Sequence, residues 1–304
     1  MRTPSRRAGL TLSALLLAAL ACATSLPAGA DPIIPNLPPL LGPGPSPSPS
    51  PSPSPSPSPS PSPSASPKPT SAPVKVAAPA DRWALIVGVT DYRGQVTDTV
   101  AGAADARLVR EVLLRNGWRS DRIRILTDDQ ATGKALSEGL GWLQANSSSR
   151  TFSFFHYSGH VRRADNHEYL WPVDNAYLVD TEVSRVLKGV RGTAWTNISA
   201  CHAGGLDEGL SSSRHLFTSS STVAQKSYED PGTGYSVWTG MLFDEGLRRG
   251  LGDGDGDGGV SVNEAYDYAA PRAGAYTQNQ RPYGQQTPVR RGGTGSLRLD
   301  APRV

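Results

Sequence analysis

Two side chains in this sequence have the chemistry needed for nucleophilic catalysis, and each follows an apolar stretch. Cys201 lies in the stretch NISACHAGG, and His160 closes the earlier stretch TFSFFHYSGH. A thiolate attacks a carbonyl carbon, and a neighbouring imidazole accepts or shares its proton. Gly159 and the small residues after Cys201 would let backbone N–H groups approach a developing oxyanion. The pair therefore predicts nucleophilic catalysis at a carbonyl group.

The N-terminus of the chain bears on the state of this thiol. Residues 1–30 combine early arginines, an apolar run at 10–23 and a small-residue pattern ending at Ala30, which indicates a secretory signal peptide. The run is shorter than the ~20 residues that span a bilayer, so we expect no transmembrane segment in the mature chain. Cleavage would remove Cys22, leave Cys201 alone and exclude an intramolecular disulfide. Because exposed lone thiols oxidise outside the cell, we expect Cys201 to be used in chemistry, with an inert buried cysteine as the alternative.

Composition divides the rest of the chain into a spacer and a globular part. Residues 31–80 are rich in proline and serine, with ten Pro-Ser pairs at 45–64, and predict a disordered, extended linker. Residues 81–304 suffice for one globular domain. The formal charge of +3 and the lack of a basic cluster among aromatics argue against a nucleic-acid partner. We expect a protein secreted or held at the cell surface or cell wall, with a lipid anchor at Cys22 as a weaker alternative.

Strands and helices are predicted to alternate along the globular part. Continuous or alternating apolar runs predict strands, and apolar residues at helical spacing predict helices. The predicted strands lie at 82–92, 122–129, 151–160, 192–205 and 214–221, and the predicted helices at 103–118, 133–146, 178–190 and 235–250. This alternation predicts an α/β fold with a mostly parallel central sheet and helices on both faces.

His160 and Cys201 each lie at the end of a predicted strand, on consecutive strand-helix units. In open parallel sheets, reactive residues gather beyond the carboxyl ends of the strands, and neighbouring strands are ~4.8 Å apart. We therefore expect the two side chains to face one another across a cleft at that edge of the sheet.

The stretches HYSGH and SACHAGG, in this order at the ends of successive strands, resemble the two catalytic motifs of the caspase-like peptidases, especially the metacaspases of bacteria, plants and protozoa. The resemblance extends from Trp83 to about Arg290 and includes WALIVGVTDY, AGAADARLVREVL and YLWPVD. It implies a caspase-like three-layer sandwich and a cysteine-type endopeptidase that acts on peptides or proteins without an organic cofactor. It also implies that Cys201 is the nucleophile, that His160 is the general base and acid, and that the N–H groups of Gly159 and Cys201 form the oxyanion hole.

The resemblance assigns the substrate pocket to Asp105, Ser158 and Ser199. Metacaspases usually carry an acid two residues before the cysteine, where this sequence has Ser199. A preference for basic substrate residues therefore rests on Asp105, since one desolvated charge pair can dominate specificity. Val161 stands where the family often has glycine, which would narrow the site beside His160. No third catalytic residue is implied, and the residue preferred before the cleaved bond stays open.

Residues 253–264, with the sequence DGDGDGGVSVNE, match the ligand positions of the EF-hand calcium loop. Oxygen ligands at this density suit a hard cation of the size of Ca²⁺, and helices are predicted on both sides. The predicted ligands are Asp253, Asp255, Asp257, the carbonyl of Gly259, Ser261 and Glu264. An acidic surface loop without metal is the alternative. A bound ion would brace the loop or regulate the enzyme.

Two functions of different class fit these observations. One is a secreted cysteine endopeptidase with a Cys-His dyad, with cleavage after basic residues and dependence on calcium left open. The other is a non-enzymatic surface interaction module braced by calcium, which Ser199 favours because a usual determinant of substrate binding is missing. Thiol redox chemistry fits poorly, since no second cysteine would resolve a disulfide.

Overall fold

A computed structural model describes residues 81–280, 282–294 and 297–300 of the protein. The predicted signal peptide at 1–30 and the Pro/Ser-rich linker at 31–80 lie outside these residues and stay predictions. Within the described part of the chain, no helix has the length and apolarity needed to cross a membrane.

A six-stranded sheet forms the centre of the fold, in the spatial order β11-β8-β7-β3-β1-β2. In chain order the strands are β1 (Asp81–Gly88), β2 (Ile123–Thr127), β3 (Thr151–Ser158), β4 (Val161–Ala164), β5 (His167–Leu170), β6 (Leu178–Val179), β7 (Thr193–Ser199), β8 (His215–Ser219), β9 (Glu229–Asp230), β10 (Tyr235–Ser236) and β11 (Val289–Arg291). In the central sheet β11 runs antiparallel to β8, and every other neighbouring pair is parallel. The predicted, mostly parallel sheet is confirmed.

The helices follow the predicted order with one difference. They are α1 (Gly102–Arg115), α2 (Gly133–Ala145), α3 (Asp180–Lys188), α4 (Val237–Thr239) and α5 (Val262–Asn279), and a π-helix (Gly240–Arg248) follows α4 directly. The helix predicted over 235–250 is thus a single α-helical turn that continues as a π-helix. The helix after the acidic loop begins with a capping box of Ser261 and Glu264 and continues through Pro271.

Helices cover both faces of the sheet, so the chain forms the three-layer sandwich that was predicted. Alternate residues of β1 enter different cores, because successive side chains of a strand point to opposite faces. Ala84 and Ile86 belong to the core with α1, the π-helix and α5. Leu85 and Val87 belong to the core with α2 and α3.

Several short strands were not predicted. Strands β4, β5 and β6 form a small antiparallel sheet that begins directly after His160, and β9 pairs with β10. The last strand, β11, closes one edge of the central sheet. These strands are two to four residues long, and all but β6 contain charged or polar residues, so they leave no apolar periodicity to detect.

The start of α1 lies directly against the end of β1. A Cβ atom at Gly88 would overlap the carbonyl oxygen of Gly102, the first residue of the helix. Only glycine permits this close approach. It brings the first turn of α1, which carries Asp105, to the edge of the sheet where β3 and β7 end.

Candidate active site

The ends of two neighbouring parallel strands set the positions of His160 and Cys201. Ser158, the last residue of β3, is the register partner of Ser199, the last residue of β7. The chain therefore leaves both strands at the same edge of the sheet and reaches His160 and Cys201 two residues later. This is the edge at which reactive residues gather in parallel sheets.

The two side chains line one cleft with a free space of about 50 Å³. The lining residues are Thr97, Asp98, Thr99, Ser158, Gly159, His160, Ser199, Ala200, Cys201, Ser227, Tyr228, Glu229 and Ser236. Three separate chain segments contribute besides the strand ends: the loop before α1, the segment that enters β9, and β10.

The imidazole of His160 is held by a backbone carbonyl and by aromatic rings. Its Nε2 lies 2.7 Å from the carbonyl oxygen of Thr97. A carbonyl only accepts, so Nε2 carries the hydrogen in this contact and Nδ1 is the ring nitrogen able to take a proton. The rings of Tyr92 and Trp171 lie 4.7 and 5.8 Å away between centroids. The hydroxyl of Tyr92 also accepts the backbone N–H of His160 at 2.7 Å. The ring is thus oriented before any substrate binds.

Cys201 is 4% exposed, and its sulfur contacts the backbone of Ser227. The Ser227 N–H donates to Sγ at 3.5 Å, and Sγ lies 3.8 Å from the Ser227 carbonyl oxygen. His202, the next residue, has the left-handed φ of 58°, and a 3₁₀ helix at Ala203–Asp207 follows. The chain therefore turns sharply away after the thiol.

Gly159 differs from its predicted role in one respect. Its N–H donates to the carbonyl oxygen of Ser199 at 3.3 Å, so it continues the bonding between β3 and β7. Its predicted contribution to the oxyanion hole requires this bond to open. A side chain at Gly159 would meet the hydroxyl of Tyr92, at 2.6 Å from the added Cβ atom. The glycine is therefore also needed for the packing that holds His160.

The predicted pocket residues Asp105, Ser158 and Ser199 come together around a fourth residue, Ser236. The carboxylate of Asp105 accepts the hydroxyl of Ser158 at 2.7 Å, and the N–H and hydroxyl of Ser236 at 3.0 and 2.5 Å. The Ser199 hydroxyl lies 2.7 Å from that of Ser236. Asp105 is fully buried and does not line the cleft, whereas the three serines do. The carboxylate thus lies beneath the floor of the cleft.

Burial is the main influence on the Asp105 carboxyl. It raises the pKa of this group to about 7, and the hydrogen bonds from Ser236 and Ser158 oppose the rise. Near neutral pH the group therefore exists in both protonation states. A cation in the cleft above would favour the charged form.

The acidic loop at 253–264 brings its first three carboxylates together. One oxygen from each of Asp253, Asp255 and Asp257 can be chosen so that all lie within 4.8 Å of one another. The N–H groups of Gly256 and Gly258 donate to Asp253 at 2.8 and 3.0 Å, which curls the loop around these side chains. The loop is therefore shaped by its own backbone.

The other predicted ligands of the loop are hydrogen-bonded at the start of α5. Glu264 accepts the N–H of Ser261 at 2.8 Å and, across the loop, the N–H of Gly254 at 3.3 Å. The Ser261 hydroxyl accepts the N–H of Glu264 at 3.2 Å, and Gly259 lies against the guanidinium of Arg298. Arg298 donates from Nη1 to both oxygens of Asp257 at 3.0 and 2.9 Å. The structure thus adds a cation to the loop that the sequence pattern did not indicate.

Comparison with known proteins decides the family. Residues 81–270 match the family described as Caspase domain, and this match covers more than half of the chain. The chain belongs to the caspase domain family. The resemblance carried by HYSGH and SACHAGG is confirmed at this level.

Within the caspase domain family, the chain is similar to metacaspases of fungi and plants. Metacaspase-1 of Candida albicans is 28% identical over 40% of this chain and 33% of that protein. Metacaspase-1 of Eremothecium gossypii is 31% identical over 41% of this chain and 32% of that protein. Metacaspase-9 of Arabidopsis thaliana is 28% identical over 41% of this chain and 44% of that protein. The chain thus spans a third to somewhat under half of the length of these relatives.

The caspase-like fold also has a counterpart among solved structures. A crystal structure of a Geobacter sulfurreducens protein superposes with a TM-score of 0.54 and 15% sequence identity, over 73% of this chain and 99% of that chain. At this identity the similarity concerns the fold alone.

Thr97 is one residue of this caspase-family cleft that the sequence did not indicate. Its carbonyl oxygen orients His160, and a backbone carbonyl carries no residue-type signal. Thr97 also precedes α1, far from both motifs in the sequence. A tertiary structure was needed to find it.

Proposed function

We propose that this protein is a cysteine endopeptidase with Cys201 as nucleophile and His160 as general base and acid. The observation that carries the proposal is that both side chains line one cleft beyond the ends of β3 and β7. Because Nε2 of His160 contacts the Thr97 carbonyl, Nδ1 is the ring nitrogen that acts as the base in this proposal. Membership of the caspase domain family supports this class of reaction.

In the proposed reaction, Nδ1 of His160 takes the thiol proton of Cys201, and the thiolate attacks the carbonyl carbon of a peptide bond. Backbone N–H groups stabilise the oxyanion, with those of Cys201 and Gly159 as the predicted pair. His160 then gives the proton to the leaving amine as the C–N bond breaks, which leaves a thioester. A water molecule, deprotonated by His160, attacks the thioester, regenerates the thiol and releases the carboxylic acid product.

The proposed substrates are peptides or proteins with a basic side chain in the cleft. Asp105 supplies a carboxylate beneath the floor, and Ser158, Ser199 and Ser236 offer hydroxyl groups to a bound cation. A single buried carboxylate can dominate the choice of a charged partner, because its interactions are poorly screened by water.

We also propose that the loop at 253–264 binds Ca²⁺, which braces the junction between the π-helix and α5. The donor set fits this ion, because three carboxylates converge and Glu264 reaches across the loop to Gly254. Asp253, Asp255, Asp257, the Gly259 carbonyl, Ser261 and Glu264 would hold the ion. Export, and placement outside the cell or on its surface, are part of the proposal and rest on residues 1–80.

The test of the peptidase proposal is hydrolysis of peptide substrates by the purified chain, with and without calcium. We expect turnover by the wild-type protein and a loss of at least ~10³-fold in Cys201→Ala and His160→Ala. Thermal unfolding of both variants separates lost chemistry from lost folding. Turnover that is the same in the wild type and Cys201→Ala would reject the proposal.

A non-enzymatic interaction module is the second candidate function. Ser199 favours it, because the resemblance to metacaspases implies an acid at this position, where the chain has a serine. A peptide electrophile that labels Cys201 in the wild type, and fails to label it in His160→Ala, would exclude this candidate. No labelling of a folded wild-type protein would support it.

A further inference from the structure

We propose that Glu229 is a second carboxylate, besides Asp105, that selects a positively charged substrate side chain in the cleft beside His160 and Cys201. This inference rests on the proposed peptidase function and adds a residue that determines its specificity for a basic side chain. Glu229 is distinct from the pocket residues that the sequence indicated, since it lies on the segment that enters β9.

The position of Glu229 brings a carboxylate next to the reacting groups. Glu229 lines the same cleft as His160 and Cys201. It lies two residues after Ser227, whose N–H contacts the sulfur of Cys201. Glu229 therefore lies on the wall of the cleft that a substrate side chain would enter.

Hydrogen bonds hold the Glu229 carboxylate in one position. Its Oε2 accepts the N–H of Val100 and its Oε1 accepts the N–H of Ala101, each at 2.8 Å, directly before α1 begins. The hydroxyl of Tyr283 donates to the Glu229 backbone carbonyl at 2.6 Å. Each carboxylate oxygen has more than one lone pair, so both oxygens can accept a further hydrogen bond from a ligand. A side chain that is already fixed loses little conformational entropy when it binds a ligand.

The charge of Glu229 has no arginine or lysine partner among the described residues. No arginine or lysine of residues 81–280, 282–294 and 297–300 forms an ion pair with it, and none lines the cleft. Asp98 also lines the cleft, and Asp105 lies beneath its floor. His160 is the one group able to carry positive charge on the cleft wall in this part of the chain. The field inside the cleft therefore favours a cation.

The surroundings of Glu229 make its charge responsive to a ligand. Burial raises the pKa of its carboxyl, and the N–H groups of Val100 and Ala101 and the nearby His160 act in the opposite direction. A guanidinium or ammonium group in the cleft would replace lost solvation with a direct ion pair.

The experiment compares three peptide substrates that differ at one position, where they carry arginine, its neutral isostere citrulline, or glutamate. We expect the wild type to prefer arginine to citrulline by at least ~10-fold in kcat/KM, because one close, partly buried charge pair contributes on this scale. Glu229→Gln should reduce the arginine value by at least ~10-fold and change the citrulline value by less than ~3-fold. Glu138→Gln, an exposed carboxylate on α2, is the matched control and should leave both values unchanged.

Binding to an inactive protein gives a second measurement that does not depend on turnover. We expect Cys201→Ala to bind the arginine peptide more tightly than the citrulline peptide in calorimetry, and the double variant with Glu229→Gln to lose this difference. A preference for binding the arginine peptide that depends on Glu229 would support the inference even if the wild type hydrolysed none of the peptides. In that case only the peptidase proposal would fail.

Two results would overturn the inference about Glu229. One is equal loss of the arginine and citrulline values in Glu229→Gln, which would indicate a purely structural role. The other is a wild-type protein that hydrolyses and binds the two peptides equally, a result that needs no variant to fold.

Discussion

The cleft around Cys201 and the acidic loop at 253–264 both concentrate oxygen donors, but they are assembled in opposite ways. The cleft draws on segments that lie far apart in the sequence, such as Thr97, Ser158, Ser199 and Glu229. The loop takes its donors from one continuous stretch and shapes itself through its own N–H groups. The cleft therefore depends on the packing of the whole sandwich, and the loop depends on local bonds and on the guanidinium of Arg298.

The same chemical group behaves differently in the two regions. Burial raises the pKa of Asp105 to about 7 beneath the cleft. In the loop, burial also acts to raise the pKa of Glu264, but hydrogen bonds from Ser261 and Gly254 outweigh it and the pKa is lowered. A carboxylate packed under a sheet edge is costly to charge, whereas one surrounded by N–H donors is easy to charge.

The largest expected difference between the cleft and the loop is the pH dependence of the free energy of unfolding that Asp105 contributes. Its pKa is raised in the folded state above the ordinary value of 3.8, so its contribution is fully present below pH 3.8 and is lost as pH rises to about 7. At ~1.4 kcal/mol per pKa unit, this loss amounts to at most about 4 kcal/mol. We expect Asp105→Asn to remove this slope, measured by urea unfolding between pH 4 and 8.

Asp257→Asn in the loop is the matched control for Asp105→Asn. Other groups also titrate in this range, so the quantity to compare is the difference in unfolding free energy between each variant and the wild type. That difference should change with pH for Asp105→Asn, and the same difference for Asp257→Asn shows how much an exposed loop carboxylate changes it. A flat difference for Asp105→Asn would show that its carboxylate is well solvated or well paired when charged.

Sequence patterns predicted the central sheet and its covering helices because buried strands and amphipathic helices leave long apolar signals. The run in β1 and the spacing in α1 are examples, since their apolar residues enter the two cores. The same logic placed His160 and Cys201 at neighbouring strand ends, where the structure also has them. The two residues come together because β3 and β7 run parallel and are neighbours in the sheet. No single sequence motif contains that information.

Other parts of the cleft and loop had no such signal. Thr97 acts through a backbone carbonyl, and Glu229 lies in a two-residue strand without periodicity. Arg298 reaches Asp257 from near the end of the described chain, as one arginine among many. These contacts depend on how segments that are far apart in the sequence pack against one another. The sequence pattern alone does not show which of these segments come close in space.

The next effect in size concerns calcium and the loop. Calcium that binds the folded protein should stabilise it by about 2.7 kcal/mol at a concentration 100 times its Kd. We therefore expect calcium to raise the Tm of the wild type and of Cys201→Ala equally, because the thiol lies in the other region. Glu264→Gln should remove most of this rise, since Glu264 is the proposed bidentate ligand.

Asp267→Asn is the matched control for Glu264→Gln, because Asp267 is an exposed acid on α5 beyond the loop and is paired with Arg290. It should keep the full calcium-dependent rise in Tm. Chelation should reverse the rise in the wild type and in Asp267→Asn. The calcium proposal fails if the wild type shows no rise, or if Glu264→Gln keeps all of it.

The smallest effect concerns Arg298, the internal cation of the loop. Its ion pair with Asp257 is partly exposed, with side-chain exposures of 31% and 52%, and such pairs contribute at most ~1 kcal/mol. Arg298 also forms a partly exposed ion pair with Asp300. Because exposed pairs contribute little, we expect Arg298→Gln to lower the free energy of unfolding of the calcium-free protein by under ~1 kcal/mol.

Calcium and Arg298 both neutralise the charge of Asp257, so removal of Arg298 should tighten the binding of calcium. We expect calcium to bind Arg298→Gln a few-fold more tightly by titration calorimetry at low salt. Weaker calcium binding in this variant would instead mean that Arg298 holds Asp257 in the geometry that the ion needs, and the loop would then depend on distant packing as the cleft does.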